Sequence, residues 1–170
     1  MRHLLALSAA LLFAACAPEA PSQVEPADVI TEYTAADLPA DVTAKVLAAA
    51  PGMVISEAER KERDGRVYFD VEGARDTGDP IELDLLQTET GWQVVEIQRD
   101  IAWMEAPENV RTAAEAAPSP FEPARVIEST QTEDGAVIYE LFAEGRPEAP
   151  SLEVRLVNGQ ASLMTQANPH

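Results

Sequence analysis

Thirty acidic side chains stand against 12 lysines and arginines, two histidines and one cysteine, and this supply decides what chemistry the chain can do. His3 and His170 lie at opposite ends of the sequence, and Cys16 is the single thiol. A Ser-His-acid triad or a Cys-His pair therefore cannot be assembled from the interior of the chain, and a His/Cys zinc site is excluded for the same reason. Carboxylates can do general acid–base work in pairs, but with 30 of them such pairs arise by chance and single out no residue. Asp76, Asp79, Glu82 and Asp84 are close enough in sequence to suggest calcium, which takes clustered carboxylates. They lack the Asp-x-Asp-x-Asp-Gly spacing of a calcium loop, and Glu82 and Asp84 read as the wet side of an alternating strand. No metal ion, cofactor or catalytic residue is expected.

The elements that position these groups follow a plan that occurs twice. Leu38 to Val71 and Ala106 to Leu141 each run from a proline-led short helix to a proline stop, then a strand, an Asp-Gly turn and a second strand. The first helix is expected over about Leu38 to Ala50, with Asp37 as N-cap, Pro39 in the first turn and Pro51-Gly52 as the stop. Val42, Val46, Ala49 and Ala50 give it one apolar stripe. The second is expected over about Pro107 to Ala117, with Val110, Ala113, Ala114 and Ala117. Asp64-Gly65 and Asn158-Gly159 suit two-residue hairpins, and Asp134-Gly135 occupies the matching place in the second copy. Third strands follow at Ile81 to Leu85 and Leu152 to Leu156, and fourth strands at Trp92 to Ile97 and Gln160 to Thr165. The order, turn chemistry and period together indicate an internal repeat. The expected fold is α+β: two tandem modules, 37–101 and 103–166, each one helix packed on an antiparallel sheet of three to four strands. Trp92 is expected in the core or capping the sheet end, and Trp103 between the modules.

Residues 1–15 read as an export signal, with Arg2 at the start and an apolar run from Leu4 to Phe13. Phe13-Ala14-Ala15-Cys16 resembles the bacterial lipobox, with Phe13 where that pattern prefers leucine. The resemblance implies cleavage before Cys16, a diacylglyceryl thioether on its sulfur and acylation of the new amino terminus. Several acyl chains hold where one anchors only reversibly, at about 0.8 kcal/mol per buried CH₂. By resemblance to enterobacterial sorting, Ala17 in place of aspartate favours the outer membrane, so the expected location is a lipid-anchored, periplasm-facing one. Residues 16–36, rich in Ala, Pro and Glu, read as anchor and tether. Cys16 being the only cysteine, no internal disulfide can form. Loss of residues 1–15 removes Arg2 and no acid, leaving 11 basic against 30 acidic side chains, a net charge of −19. Such a chain repels phosphate backbones, so nucleic acid is not an expected partner.

Leu38-Pro39, Pro51-Gly52, the charged strand Glu57 to Arg63, Asp64-Gly65, Phe69-Asp70-Val71 and Gly91-Trp92 together resemble the PepSY-like family, which includes domains likened to the β-lactamase-inhibitor fold. The second copy keeps Ala106-Pro107, Pro118, Asp134-Gly135 and Tyr139-Glu140-Leu141 and lacks the Gly-Trp. The resemblance spans about 38–165 and its motifs are structural. It implies an extracytoplasmic helix-on-sheet module with a binding or inhibitory role.

Alternation then assigns the faces. With Val67, Phe69 and Val71 under one helix and Val137, Tyr139 and Leu141 under the other, the opposite face carries Tyr68, Asp70, Glu72, Glu82 and Asp84. In the second copy it carries Ile138, Glu140, Phe142, Glu153 and Arg155. Ile138 and Phe142 are expected there as an exposed apolar patch, the mark of a contact. The expected function is non-enzymatic: an outer-membrane lipoprotein that binds or inhibits an envelope protein through this open face. The alternative is a structural or carrier lipoprotein that recognises a lipid or another envelope component, for which a deep apolar pocket between helix and sheet is the sign. A carboxylate-based hydrolase comes third and requires a buried carboxylate pair in a cleft.

Overall fold

The computed structural model describes residues 29–165; Cys16, the signal and most of the tether lie outside them. Nine strands form one antiparallel sheet in the order of the chain: β1 Val29–Thr34, β2 Val54–Arg63, β3 Arg66–Ala74, β4 Pro80–Thr88, β5 Gly91–Ile101, β6 Arg125–Gln131, β7 Val137–Phe142, β8 Leu152–Val157 and β9 Gln160–Leu163. Helix α1, Ala40–Ala49, joins β1 to β2, and α2, Glu108–Glu115, lies between β5 and β6 after a 3-10 turn at Trp103–Glu105.

The two tandem modules expected from the repeat are therefore replaced by a single sheet. The cause is β5. Its first part pairs with β4 from Gly91 to Gln98, and its last part pairs with β6, from Glu96 opposite Gln131 to Ile101 opposite Val126. The fourth strand was expected to stop near Ile97; it in fact continues through Gln98, Arg99, Asp100 and Ile101, and that extension supplies the edge on which the second half builds. Backbone donors left open at a sheet edge favour such pairing.

Val29–Thr34, placed by composition in the tether, is strand β1, in register with Glu57 to Glu62 of β2. Tyr33 explains its attachment: its ring packs edge-on against Phe69 at 5.2 Å, and Phe69 in turn meets Trp92 at 5.0 Å. Asp37 does not cap α1. It accepts a 2.6 Å bond from the Thr34 hydroxyl in the turn before the helix, and Pro39 takes the N-cap position.

Asp64-Gly65 and Asn158-Gly159 form the two-residue turns, all four residues at positive φ. Asp134-Gly135 instead lies in a longer loop, where the Asp134 carboxylate accepts from the Ala136 amide at 2.9 Å.

Two apolar clusters lie on the helix side. Val42 and Val46 of α1, fully buried, pack with Phe69, Val71, Leu83, Leu85 and Trp92. Val110 and Ala114 of α2 pack with Val126, Tyr139, Leu141 and Val154. Trp103 packs only against this second cluster rather than bridging the two.

Candidate functional site

The other side of the sheet has no helix over it, and register sets what it presents. Glu59, Asp70, Asp84, Glu96 and Gln131 follow one another directly across β2 to β6. A second row runs Glu57, Glu72, Glu82, Gln98, Ser129, Ile138 and Arg155. A third holds Asp100, Ile127, Glu140 and Glu153. Like charges directly opposite each other in a ladder are destabilising, so these rows are a cost the rest of the fold carries.

All ten residues assigned to this face by alternation lie on it, but it is less open than expected. Asp84, Ile138, Glu140, Phe142 and Glu153 are buried; Tyr68, Asp70, Glu82 and Arg155 are half-buried; Glu72 is exposed. Ile138 and Phe142 are thus no exposed patch, and on the expected wet side of β4 Asp84 is buried and Glu82 half-buried. The physical reason is that side chains bridge neighbouring strands on this face: Lys61 reaches Asp70, Ser129 reaches Glu96, and Arg125 lies over the Phe142 ring. Irregular register at Ile55–Glu57 of β2 and at Asp84–Leu85 of β4 adds local twist that folds this face inward.

The basic groups here are committed. Lys61 bonds the Asp70 carboxylate and lies 3.4 Å from Glu59. Burial works to lower its pKa, but the bond to Asp70 and the charges of Asp70 and Glu59 hold it above the ordinary lysine value. Arg125 donates to the Asp100 carboxylate from Nε at 2.7 Å and from Nη2 at 3.2 Å, and its guanidinium lies 5.4 Å from the Phe142 ring centre. Arg155 pairs with Asp134. Deep in the face, the fully buried Ser129 hydroxyl donates to Glu96 and accepts from the Gln131 amide at 2.9 Å.

Glu82 is different. Among the described residues no hydrogen bond or ion pair is made by its carboxylate, and its pKa is pushed up to about 7 by burial first and then by the charges of Asp70 and Glu72. It borders two hollows. One, of about 190 Å³, is lined by Ser56, Glu72, Gly73, Pro80, Ile81, Glu82, Gln98, Arg99, Asp100, Arg125 and Ile127. The other, of about 520 Å³, spreads over Glu32, Glu57, Glu59, Lys61, Asp70, Glu72 and Glu82 toward β1. Asp70, Glu82 and Asp84 also bring one oxygen each within 4.8 Å of one another, a spacing with which carboxylates can surround a cation.

Sequence reasoning missed Glu96, Gln98, Asp100, Ser129 and Arg125. The signal was partial: Glu96 falls inside the strand expected to end near Ile97, whereas the polar run Gln98-Arg99-Asp100 breaks the period and hides the extension. Among the described residues no helix is long and apolar enough to cross a membrane. No family model matches the chain, and neither a curated protein nor a solved structure matches it.

Proposed function

We propose that this chain is a lipid-anchored envelope protein that acts without catalysis, binding or inhibiting a protein partner through the acidic, helix-free face of its sheet. The observation that carries the reading is the alignment of Glu57, Glu72 and Glu82 across three neighbouring strands, the first two exposed and the third half-buried. Natural sheets pair opposite charges or apolar groups in such rows, so a row of like charge implies a role outside the fold. A cationic surface is its physical complement: carboxylates steer the encounter from a distance and pair on contact. The signal, Cys16 and the PepSY-like motifs add location and role in the same direction.

The carrier reading needs an apolar pocket between helix and sheet, and that layer is filled by Val42, Val46, Val110 and their neighbours at full burial. The hydrolase reading needs a buried carboxylate pair open to substrate. Asp84 and Glu96 are such a pair, but with Lys61, Arg63, Tyr68, Asp70 and Val95 they line a crevice of only about 40 Å³, far below the roughly 300–1,000 Å³ of a ligand site.

The test is capture from detergent-solubilised envelopes with the full lipidated chain and with a Glu57→Lys, Glu72→Lys variant. A basic protein held by the parent, released by salt and absent from the variant is the expected result. Equal retention by both chains would rule out the acidic face as the binding surface.

A further inference from the structure

The hollow of about 190 Å³ has a structural origin. Pairing of β4 with β5 ends at Glu82 opposite Gln98, whereas pairing of β5 with β6 continues to Ile101 opposite Val126. Beyond Gln98, β5 therefore follows β6 alone, and the sheet opens beside the start of β4, at the seam where its two halves join. Glu72 and Glu82 form one wall of the opening, Gln98 and the buried Ile127 lie between, and Asp100 closes it with Arg125.

We infer that the partner of the acidic face is a basic polypeptide segment, one lysine or arginine side chain of which enters this seam cavity against Glu72 and Glu82. The inference rests on the acidic-face reading and adds the place, the residue class and a proton to it.

Three observations support it. The cavity is smaller than the roughly 300–1,000 Å³ of ordinary small-molecule sites, which suits one long side chain rather than a whole ligand. Its composition matches such a chain, since Ile127 can meet the methylene stem while the two carboxylates meet the charged end. Charge completes the match. The groups facing Glu82 are Lys61 and Glu57 from β2, Asp70 and Glu72 from β3, Asp84 on its own strand, Glu96 and Asp100 from β5, and Arg125 from β6. The cations here are already held, Lys61 by Asp70, Arg125 by Asp100, and Arg99, which also lines the cavity, by Glu128. A cation arriving in the cavity thus meets a half-buried carboxylate to which no cation among the described residues is bonded. Near neutral pH that carboxyl keeps its proton for much of the time, and the cation must expel it: the O–H bond of Glu82 breaks, the proton passes to solvent, and the carboxylate pairs with the ammonium or guanidinium.

The experiment uses the full chain in detergent micelles and the peptide acetyl-(Lys-Ala)₄-amide, titrated calorimetrically at pH 6.5 in two buffers of different ionisation enthalpy. Binding with release of up to one proton is expected, together with tighter binding at pH 8. Glu82→Gln should abolish the release and weaken binding at pH 8 about tenfold, the effect of losing one charge-assisted pair. Glu72→Gln should weaken binding and keep the release, and Glu115→Gln on the exposed side of α2 should change affinity less than twofold; thermal melts verify that each variant folds. Binding that ignores Glu82 but is lost in the Glu57→Lys, Glu72→Lys variant overturns the cavity while leaving the acidic face in place. No binding to the parent chain overturns both. Calcium chloride at millimolar concentration that displaces the peptide and releases the same proton would make the occupant an inorganic cation and overturn the inference.

Discussion

Glu82 stands directly across the β3–β4 ladder from Glu72, two carboxylates in register, and no cation among the described residues is bonded to Glu82. The folded protein holds the Glu82 proton with a pKa of about 7 against an ordinary 4.5, so folding binds that proton more tightly than the unfolded chain does. The stability tied to it is present in full below about pH 4.5 and is lost as the pH rises toward 7 and above. The loss is on the order of 3 kcal/mol across that window. Urea titrations at pH 5 and pH 8 should show the parent chain weaker at the higher pH. Glu82→Gln should flatten the difference; parallel behaviour of the two chains would contradict it.

Gly73 should resist substitution. It lies within β3 opposite Ile55, beside the irregular register at Ile55–Glu57. A Cβ there would sit inside contact distance of the Val54 carbonyl oxygen and 2.7 Å from Met53 Cε. Backbone cannot retreat as a flexible side chain can, so Gly73→Ala is expected to cost about 1–3 kcal/mol, as overpacking does, read as a lower midpoint in urea. A midpoint unchanged from the parent would mean that the β2–β3 pair shifts freely at this point.

Gly73 also marks where the sequence stops being legible. Read alone it is a turn residue opening a polar loop, because a glycine tolerated for its lack of a side chain and one chosen for its φ look the same in a sequence. The helices, the Asp-Gly and Asn-Gly turns and the alternation of β3, β4, β7 and β8 are local, and period and turn chemistry carry them. The pairing of β5 with β6 is not local: it joins Glu96 to Gln131 across α2, and nothing in either strand names the other. Once that pairing exists, β5 and β6 become interior strands. Alternation could place Asp84, Glu140 and Glu153 on the helix-free face. It could not foresee that these carboxylates would be covered, since burial on that side depends on neighbours from both halves.

Tyr139 gives a spectroscopic check on the helix side of β6 and β7. Its hydroxyl donates to Glu128 at 3.2 Å, and the other Glu128 oxygen accepts from Arg99 Nε at 2.6 Å. Burial first, and then the Glu128 charge, push the phenol up to about 12 from an ordinary 10. The folded state therefore favours the protonated phenol, and the stability this brings is lost as the pH climbs from 10 through 12. Ultraviolet titration should show a tyrosine ionising near pH 12 that disappears in Tyr139→Phe. That variant should lose about 1 kcal/mol, the net worth of one hydrogen bond. A titration curve identical to that of the parent would remove Tyr139 from this bond.

Tyr68 and Phe142 were assigned to one surface by alternation, and the structure separates them. Phe142 is buried beneath Arg125, whose guanidinium lies 5.4 Å from its ring, and Arg125 opposes Phe142 in the ladder while holding Asp100. Phe142→Ala should therefore empty an interior site and loosen Arg125, lowering stability by about 3–5 kcal/mol. Tyr68 is half-buried at the other end of the face, beside Lys61, Asp70 and Asp84. Its ring can leave with a much smaller cost, about 1 kcal/mol, while the partner loses an aromatic contact of the kind that dominates interfaces. The expected outcome is a split: Phe142→Ala lowers the melting temperature, and Tyr68→Ala weakens capture of the basic partner at nearly constant melting temperature. Added salt should slow association for the parent and for Tyr68→Ala alike, because steering comes from the carboxylates and is screened beyond about 8–10 Å. If Tyr68→Ala unfolds the chain as readily as Phe142→Ala does, Tyr68 belongs to the fold and the recognition surface is confined to the carboxylate rows.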